Sequence, residues 1–246
     1  MNAMKKLITL LAAGVLSACG GGSDSTTGTT TTVSAFTPEG HWTGITAAGW
    51  AFNMAVLEEG ETWALYYSGG TIMGALNGKT TSTATTFTGT GFEFMLPARS
   101  VVESKYSGTY TRKAALALQS SGGVGVNSSY SPSYDVAASL SSVAGIYNGV
   151  GQTTRTALAS QPWTITSTGS ITGGATGCVI TGVLLPRASG KGIFNIFLDR
   201  DGLQCATGST GSFQGVAFYD ATDRRLIAVS ANAKKEDGYF FVGVRN

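Results

Sequence analysis

Gly40-His41-Trp42-Thr43-Gly44 and Gly145-Ile146-Tyr147-Asn148-Gly149 carry one Gly-x-aromatic-x-Gly pattern twice, 105 positions apart. Each copy opens a stretch in which short runs of Val, Ile, Thr, Phe and Tyr are broken by Gly-containing pairs: Glu59-Gly60, Asn77-Gly78, Asp201-Gly202 and Asp237-Gly238. Turn chemistry recurring between β-prone runs predicts antiparallel strands joined by hairpins. Trp163-Thr164-Ile165-Thr166 alternates with period two, the mark of a strand with one wet face. Ile193 to Leu198 and Tyr239 to Val242 are nearly continuous apolar runs, which predicts strands buried on both faces, one in a barrel and the other against a neighbouring module. A meander of about eight strands either leaves two edges open to pairing or closes on itself, and closure removes the hazard. The predicted fold is therefore all-β: two tandem small antiparallel meander barrels, residues 36–133 and 134–246, of about eight strands each. Helix signals are confined to Asp135–Ala144, with Asp135 as cap and Gly145 as stop.

Composition narrows the function classes. Only 12% of the 246 residues are charged, against about 25% in an average soluble domain, and 42% are apolar. A nucleic-acid binder needs a basic excess and a disordered chain needs few apolar residues, so neither class fits.

The chain begins with two lysines (Lys5, Lys6), an apolar run from Leu7 to Val15, and Leu16-Ser17-Ala18-Cys19, the three-part signal-peptide pattern. The last four residues resemble the lipobox of bacterial lipoproteins. The resemblance implies a signal peptide over residues 1–18, cleavage before Cys19, and Cys19 carrying a diacylglyceryl thioether and an amide-linked, palmitate-class acyl chain. At about 0.8 kcal/mol per buried CH₂, several such chains anchor a protein durably to a membrane without spanning it. Gly20 stands where lipoproteins kept in the inner membrane commonly carry Asp, which implies the outer membrane as destination. Residues 19–35, rich in Gly, Ser and Thr, read as a flexible tether. Loss of Lys5 and Lys6 leaves 14 basic against 14 acidic side chains, so long-range steering of an anionic partner has no basis in net charge.

Gly40-His41-Trp42 at the first strand of an eight-stranded meander resembles the opening of the calycin group, the lipocalins and avidins. That resemblance implies a Trp covered by a basic residue of the last strand. Trp42 with Arg112 would form the pair in the first module, and Arg245 would cover Tyr147, which replaces Trp, in the second. These four residues are the candidate ligand contacts. Tandem β-modules behind a lipobox also resemble surface lipoproteins of the transferrin-binding-protein type, on architecture alone. The final Phe241-Val242-Gly243-Val244-Arg245 resembles the last strand of a group of bacterial lipoproteins and implies no activity.

With Cys19 lipidated, Cys178 and Cys205 remain as an even pair in an oxidising compartment, and a disulfide between them is expected. Catalytic and metal motifs are missing from the sequence. His41 is the single histidine and is expected at the surface or at a barrel rim. No Gly-x-Ser-x-Gly elbow occurs, and Gly190-Lys191 is followed by Gly192 where a phosphate-binding loop needs Ser or Thr. Asp199-Arg200-Asp201-Gly202 begins like a calcium loop, yet its twelfth position is Thr210 where Glu is required. The sequence therefore predicts no catalytic residue, no metal and no cofactor. It predicts an outer-membrane-anchored, non-enzymatic binding or envelope-structural protein, with a protein or glycan partner and no nucleic acid. The alternative is a carrier of a small hydrophobic ligand in a calycin-like barrel.

Overall fold

The computed structural model describes residues 37–206 and 209–246. Cys19, the signal peptide and the tether lie outside the described residues.

Two closed antiparallel eight-stranded barrels follow one another along the chain. The first runs β1 (Gly40–Thr46), β2 (Ala51–Val56), β3 (Glu61–Ser68), β4 (Thr71–Ser82), β5 (Thr86–Met95), β6 (Ser100–Thr111), β7 (Ala115–Ser120) and β8 (Gly125–Tyr130), and β8 closes on β1. The second runs β9 (Gly145–Thr153), the two-residue β10 (Ala159–Ser160), β11 (Trp163–Ile165), β12 (Ser170–Ala175), β13 (Cys178–Pro186), β14 (Ile193–Asp201), β15 (Gly211–Asp220), β16 (Arg225–Ala231) and β17 (Gly238–Arg245). It closes through β17 on β9, while β10 pairs only with the upper part of β9.

The sequence repeat is also a structural repeat. Gly40 and Gly145 sit at φ 155° and 150°, backbone that side chains rarely adopt. A Cβ there would meet Tyr130 Cε2 at 2.6 Å in one barrel and Arg245 Cδ at 2.6 Å in the other. Two residues on, Trp42 Nε1 donates to the Pro38 carbonyl at 2.8 Å and Tyr147 hydroxyl donates to the Val143 carbonyl at 2.6 Å. Both aromatic side chains thus satisfy a buried polar atom on the backbone four residues back, and both are fully buried. Each first strand in this way seals the end of its barrel from which the chain enters.

Both interiors are filled. In the second barrel Trp163 stacks on Phe241 with ring centroids 4.0 Å apart, and Phe194, Ile196, Leu198 and Phe213 pack in the same core. The first barrel is filled by Trp42, Phe52, Met54, Phe87, Tyr106 and Tyr110 among others, with polar groups layered between them. Asn77-Gly78, read from sequence as a turn, lies inside β4. Its glycine is needed for a different reason: a Cβ on Gly78 would meet the Thr90 carbonyl oxygen at 2.6 Å and the Tyr106 hydroxyl at 2.8 Å. The expected helix over Asp135–Ala144 is reduced to a 3₁₀ turn, Pro132–Asp135, and one helical turn, α1 (Leu140–Val143). Asp135 caps nothing. It accepts from Lys113 at 2.8 Å, from Tyr130 and from Lys191, and these contacts, the Lys113 bond first, push its carboxyl down to about 2.

The barrels share a third core. Ala55, Leu57, Trp63, Leu65, Ile72, Ala75, Phe94 and Leu96 from the outside of β2–β5 and its ends meet Ile193, Val216, Phe218, Ile227, Val229, Ala231, Phe240 and Val242 from the outside of β14–β17. Successive residues of β17 therefore face opposite cores: Phe240 packs edge-on to Phe94 at 5.4 Å, while Phe241 stacks on Trp163. The both-faces reading holds for β17 and fails along the rest of β14, where Phe197 is 39% exposed. Polar contacts frame the seam: Arg187 pairs with Glu58 at 2.8 Å, and Lys235 lies 4.9 Å over the Trp63 ring.

His41 belongs to this seam and not to a rim. It is buried, stacks on Phe218 with centroids 4.7 Å apart, and its Nε2 lies 3.2 Å from Asn53 Oδ1. Burial lowers its pKa from 6.5 to about 4, against the smaller opposing effects of Asn53 and Asp220. Cys178 and Cys205 form the expected disulfide, with Cα atoms 4.7 Å apart, tying the start of β13 to the loop after β14.

Two outcomes follow for stability. Phe240→Ala removes a fully buried ring from the shared core and is expected to cost about 3–5 kcal/mol. In urea unfolding, the loss should appear as one shifted transition reported equally by near-ultraviolet signals of both barrels; two separated transitions in the wild-type protein would contradict a shared core. For His41, the unfolded chain takes up a proton near pH 6.5 and the native state refuses it until about pH 4. Its contribution is thus complete above about pH 6.5 and is lost as pH falls toward 4. Between pH 7 and 4.5, the wild type should lose about 2–3 kcal/mol more than His41→Gln; equal losses in urea titrations at the two pH values would rule this out.

Candidate functional site

The four residues expected to contact ligand are placed as follows. Trp42 is buried at the sealed end of the first barrel, edge-on to Tyr130 at 5.4 Å. Arg112 is exposed in the turn after β6, and its charge is felt by Tyr130. In the second barrel, Arg245 pairs in register with Tyr147 and donates to the Ser142 and Ala144 carbonyls at 2.7 and 3.2 Å. Its guanidinium lies 5.3 Å over the Tyr219 ring, which meets Tyr147 edge-on. Arg245 thus fastens α1 and its exit across the sealed end, with its guanidinium over the Tyr219 ring. None of the four lines the cavities described below.

The opposite end of the first barrel is open. Its rim is made of the β1–β2, β3–β4, β5–β6 and β7–β8 turns, and between them lies a pocket of about 210 Å³ lined by Trp50, Tyr66, Met73, Met95, Pro97 and Val124 with small residues of the rim. Trp50 and Tyr66 stack with an interplanar angle of 6° and centroids 5.9 Å apart. Tyr66 can lie flat across the barrel because Gly74 faces it from β4: a Cβ there would come within 2.3 Å of the hydroxyl. No charged side chain lines this pocket.

Directly beneath it sits Glu93, 1% exposed. Alternation along β5 points Phe87, Gly89, Gly91 and Glu93 inward, so the carboxylate occupies the last inward position before the mouth. Its Oε1 accepts from the Tyr66 hydroxyl at 2.8 Å, and its Oε2 from Ser104 and Ser120 at 3.2 and 3.3 Å. Burial first, and then the Glu93 charge, hold the Tyr66 hydroxyl far above its ordinary pKa, so it stays a proton donor. A Cβ on Gly122 would lie 2.2 Å from Oε2. The rim backbone therefore passes straight over the carboxylate.

Larger grooves exist on the outside of the same barrel. One of about 1,070 Å³ crosses β1, β8, β7 and β6, and another of about 700 Å³ crosses β4, β5 and β6. Both are open troughs above Ser, Thr, Gln and other small side chains, with the exposed Lys79 and Lys105 in the second. Greater volume here reflects openness to solvent; the mouth pocket is the one with an aromatic wall and a buried polar floor, the features that small-molecule sites share.

In the second barrel the corresponding end is closed over. Arg200 points inward there, buried, and donates to the carbonyl and hydroxyl of Ser209 in the loop held by the disulfide. Ser209 is fully buried against Arg200. Among the described residues no group of His, Cys, Asp and Glu side chains could hold a metal ion, and no helix is long and apolar enough to cross a membrane. Sequence reading did not single out Trp50, Tyr66 or Glu93, although an acidic residue at an inward position of a Thr/Gly/Phe strand is a visible signal. No protein-family model, curated protein or solved structure matches the chain.

Proposed function

We propose that the chain is a non-enzymatic binding lipoprotein of the outer membrane, anchored through Cys19, whose ligand seat is the open mouth of the first barrel. The observation that carries this reading is the contrast between ends: one sealed by Trp42 and Tyr130, the other holding an apolar, aromatic-walled pocket. The filled barrel interiors favour a seat at the rim over a deep carrier cavity. At about 210 Å³ the seat is smaller than the roughly 300–1,000 Å³ of drug-sized sites, so it takes a single ring or the end of a chain. The remainder of a larger ligand, whether glycan or protein, would lie across the rim.

Trp42, Trp63 and Trp163 are at most 2% exposed, so a change in tryptophan emission on adding ligand reports on Trp50. Titration of the mature protein with 2-phenylethanol should give saturable quenching in the millimolar range or tighter, as expected for a probe of about nine heavy atoms. Equilibrium dialysis should show that binding lost in Trp50→Ala. Absence of saturable binding, or binding unchanged by Trp50→Ala, would refute the site. For the anchor, Cys19→Ser should move the protein from the membrane to the soluble fraction; retention in the membrane would refute lipid anchoring. Protease accessibility on intact against permeabilised cells then reports which side of the membrane the body faces.

A further inference from the structure

We infer that the mouth pocket is selective for organic cations, binding an ammonium group attached to an aromatic or short aliphatic body, with Glu93 as its buried counter-charge. The inference rests on the ligand seat proposed above and specifies its chemistry.

Three observations converge. First, Glu93 is a carboxylate 1% exposed whose hydrogen-bond partners, Tyr66, Ser104 and Ser120, are all neutral. Among the described residues no Lys, Arg or His comes within ion-pair distance of it; Arg99, on the nearby rim turn, is exposed and outside the pocket lining. Buried carboxylates ordinarily have a cation or a metal beside them. Here three neutral hydroxyls donate to the two carboxyl oxygens, and no cationic side chain stands beside them.

Second, the charge lies just under the pocket. Gly122 lines the pocket and at the same time approaches Oε2 so closely that no Cβ fits, and Tyr66 lines the pocket while its hydroxyl binds Oε1. One layer of backbone and one ring separate ligand from carboxylate. In such surroundings the field is weakly screened, so it acts on a ligand without direct contact.

Third, the wall itself suits a cation. Trp50 and Tyr66 both line the pocket, and cations are drawn to aromatic faces within about 6 Å of the ring centroid. Donation of the Tyr66 hydroxyl to a carboxylate enriches that ring in electron density and strengthens the attraction. The thioethers of Met73 and Met95 add polarisable, uncharged contacts. An anionic ligand, by contrast, would find no basic side chain in the lining.

Phenethylammonium and 2-phenylethanol share one ring and chain length and differ in charge, so together they isolate the effect. Tryptophan emission of the mature protein at pH 7 should report the ammonium binding at least tenfold more tightly than the alcohol, and 3-phenylpropionate binding more weakly than either. Raising ionic strength should weaken the ammonium only. Glu93→Gln, which retains an acceptor for Tyr66, should reduce the ammonium-over-alcohol preference to within about threefold. If Glu93→Gln fails to fold, the wild-type preference order and its salt dependence still decide. Equal affinity for ammonium and alcohol, or a preference that survives Glu93→Gln, overturns cation selectivity and leaves the ligand seat standing. Binding of none of the three overturns the seat itself.

Discussion

Everything in this molecule is arranged around the core shared between the barrels, and within it around the alternation of β17. A small closed barrel has one interior and normally turns a wet outer face to solvent. Here β17 has six consecutive buried positions, because its even-numbered residues leave the second barrel and enter the seam. The first barrel contributes the outer faces of β2 to β5, and the result is a three-core body in which neither barrel is complete without the other. The low charge content follows from this. A chain with apolar residues on both faces of several strands has fewer solvent-facing positions to fill with Lys and Glu.

The seam also divides the labour of the first barrel. With β2–β5 committed to it and the chain entering and leaving at the Trp42 end, what remains free is the mouth and the outer face of β1, β8, β7 and β6. The mouth turns are short and rich in Gly and Ala, which holds the aromatic wall close to the polar floor. In the second barrel the equivalent turns include the longer β14–β15 connection, in which Ser209 is buried against Arg200 and Cys205 is tied to Cys178. One architecture thus appears with one end open and one end lidded, and the difference lies in loop length and a single covalent tie.

Strand content, tandem barrels and the disulfide were legible in the sequence because each rests on a local rule: period-two patterning, turn chemistry, or cysteine parity in an oxidising compartment. The Gly-x-aromatic-x-Gly repeat was legible for a stronger reason, since glycine and aromatic serve the same two functions in both copies. What escaped was non-local. Gly78 looks like a turn glycine until Tyr106 is placed against it from β6, and His41 looks like a rim residue until Phe218 arrives from a strand far along the chain. Where a helix cap was expected, Asp135 makes ion pairs with Lys113 and Lys191 instead.

The polar layering of the first barrel argues the functional asymmetry from within. Thr62, Thr80 and Tyr106 form one hydrogen-bonded layer, and Tyr66, Glu93, Ser104 and Ser120 another nearer the mouth. The lower layer is neutral and self-sufficient, a way to fill a narrow barrel with tyrosine without leaving a hydroxyl unpaired. The upper layer would serve that purpose equally well with glutamine at position 93. A carboxylate there raises the cost of folding and gives the interior nothing that an amide would not. A carboxylate at that position is the ground on which the ligand seat is proposed at the open end of the first barrel and not in its larger outer grooves.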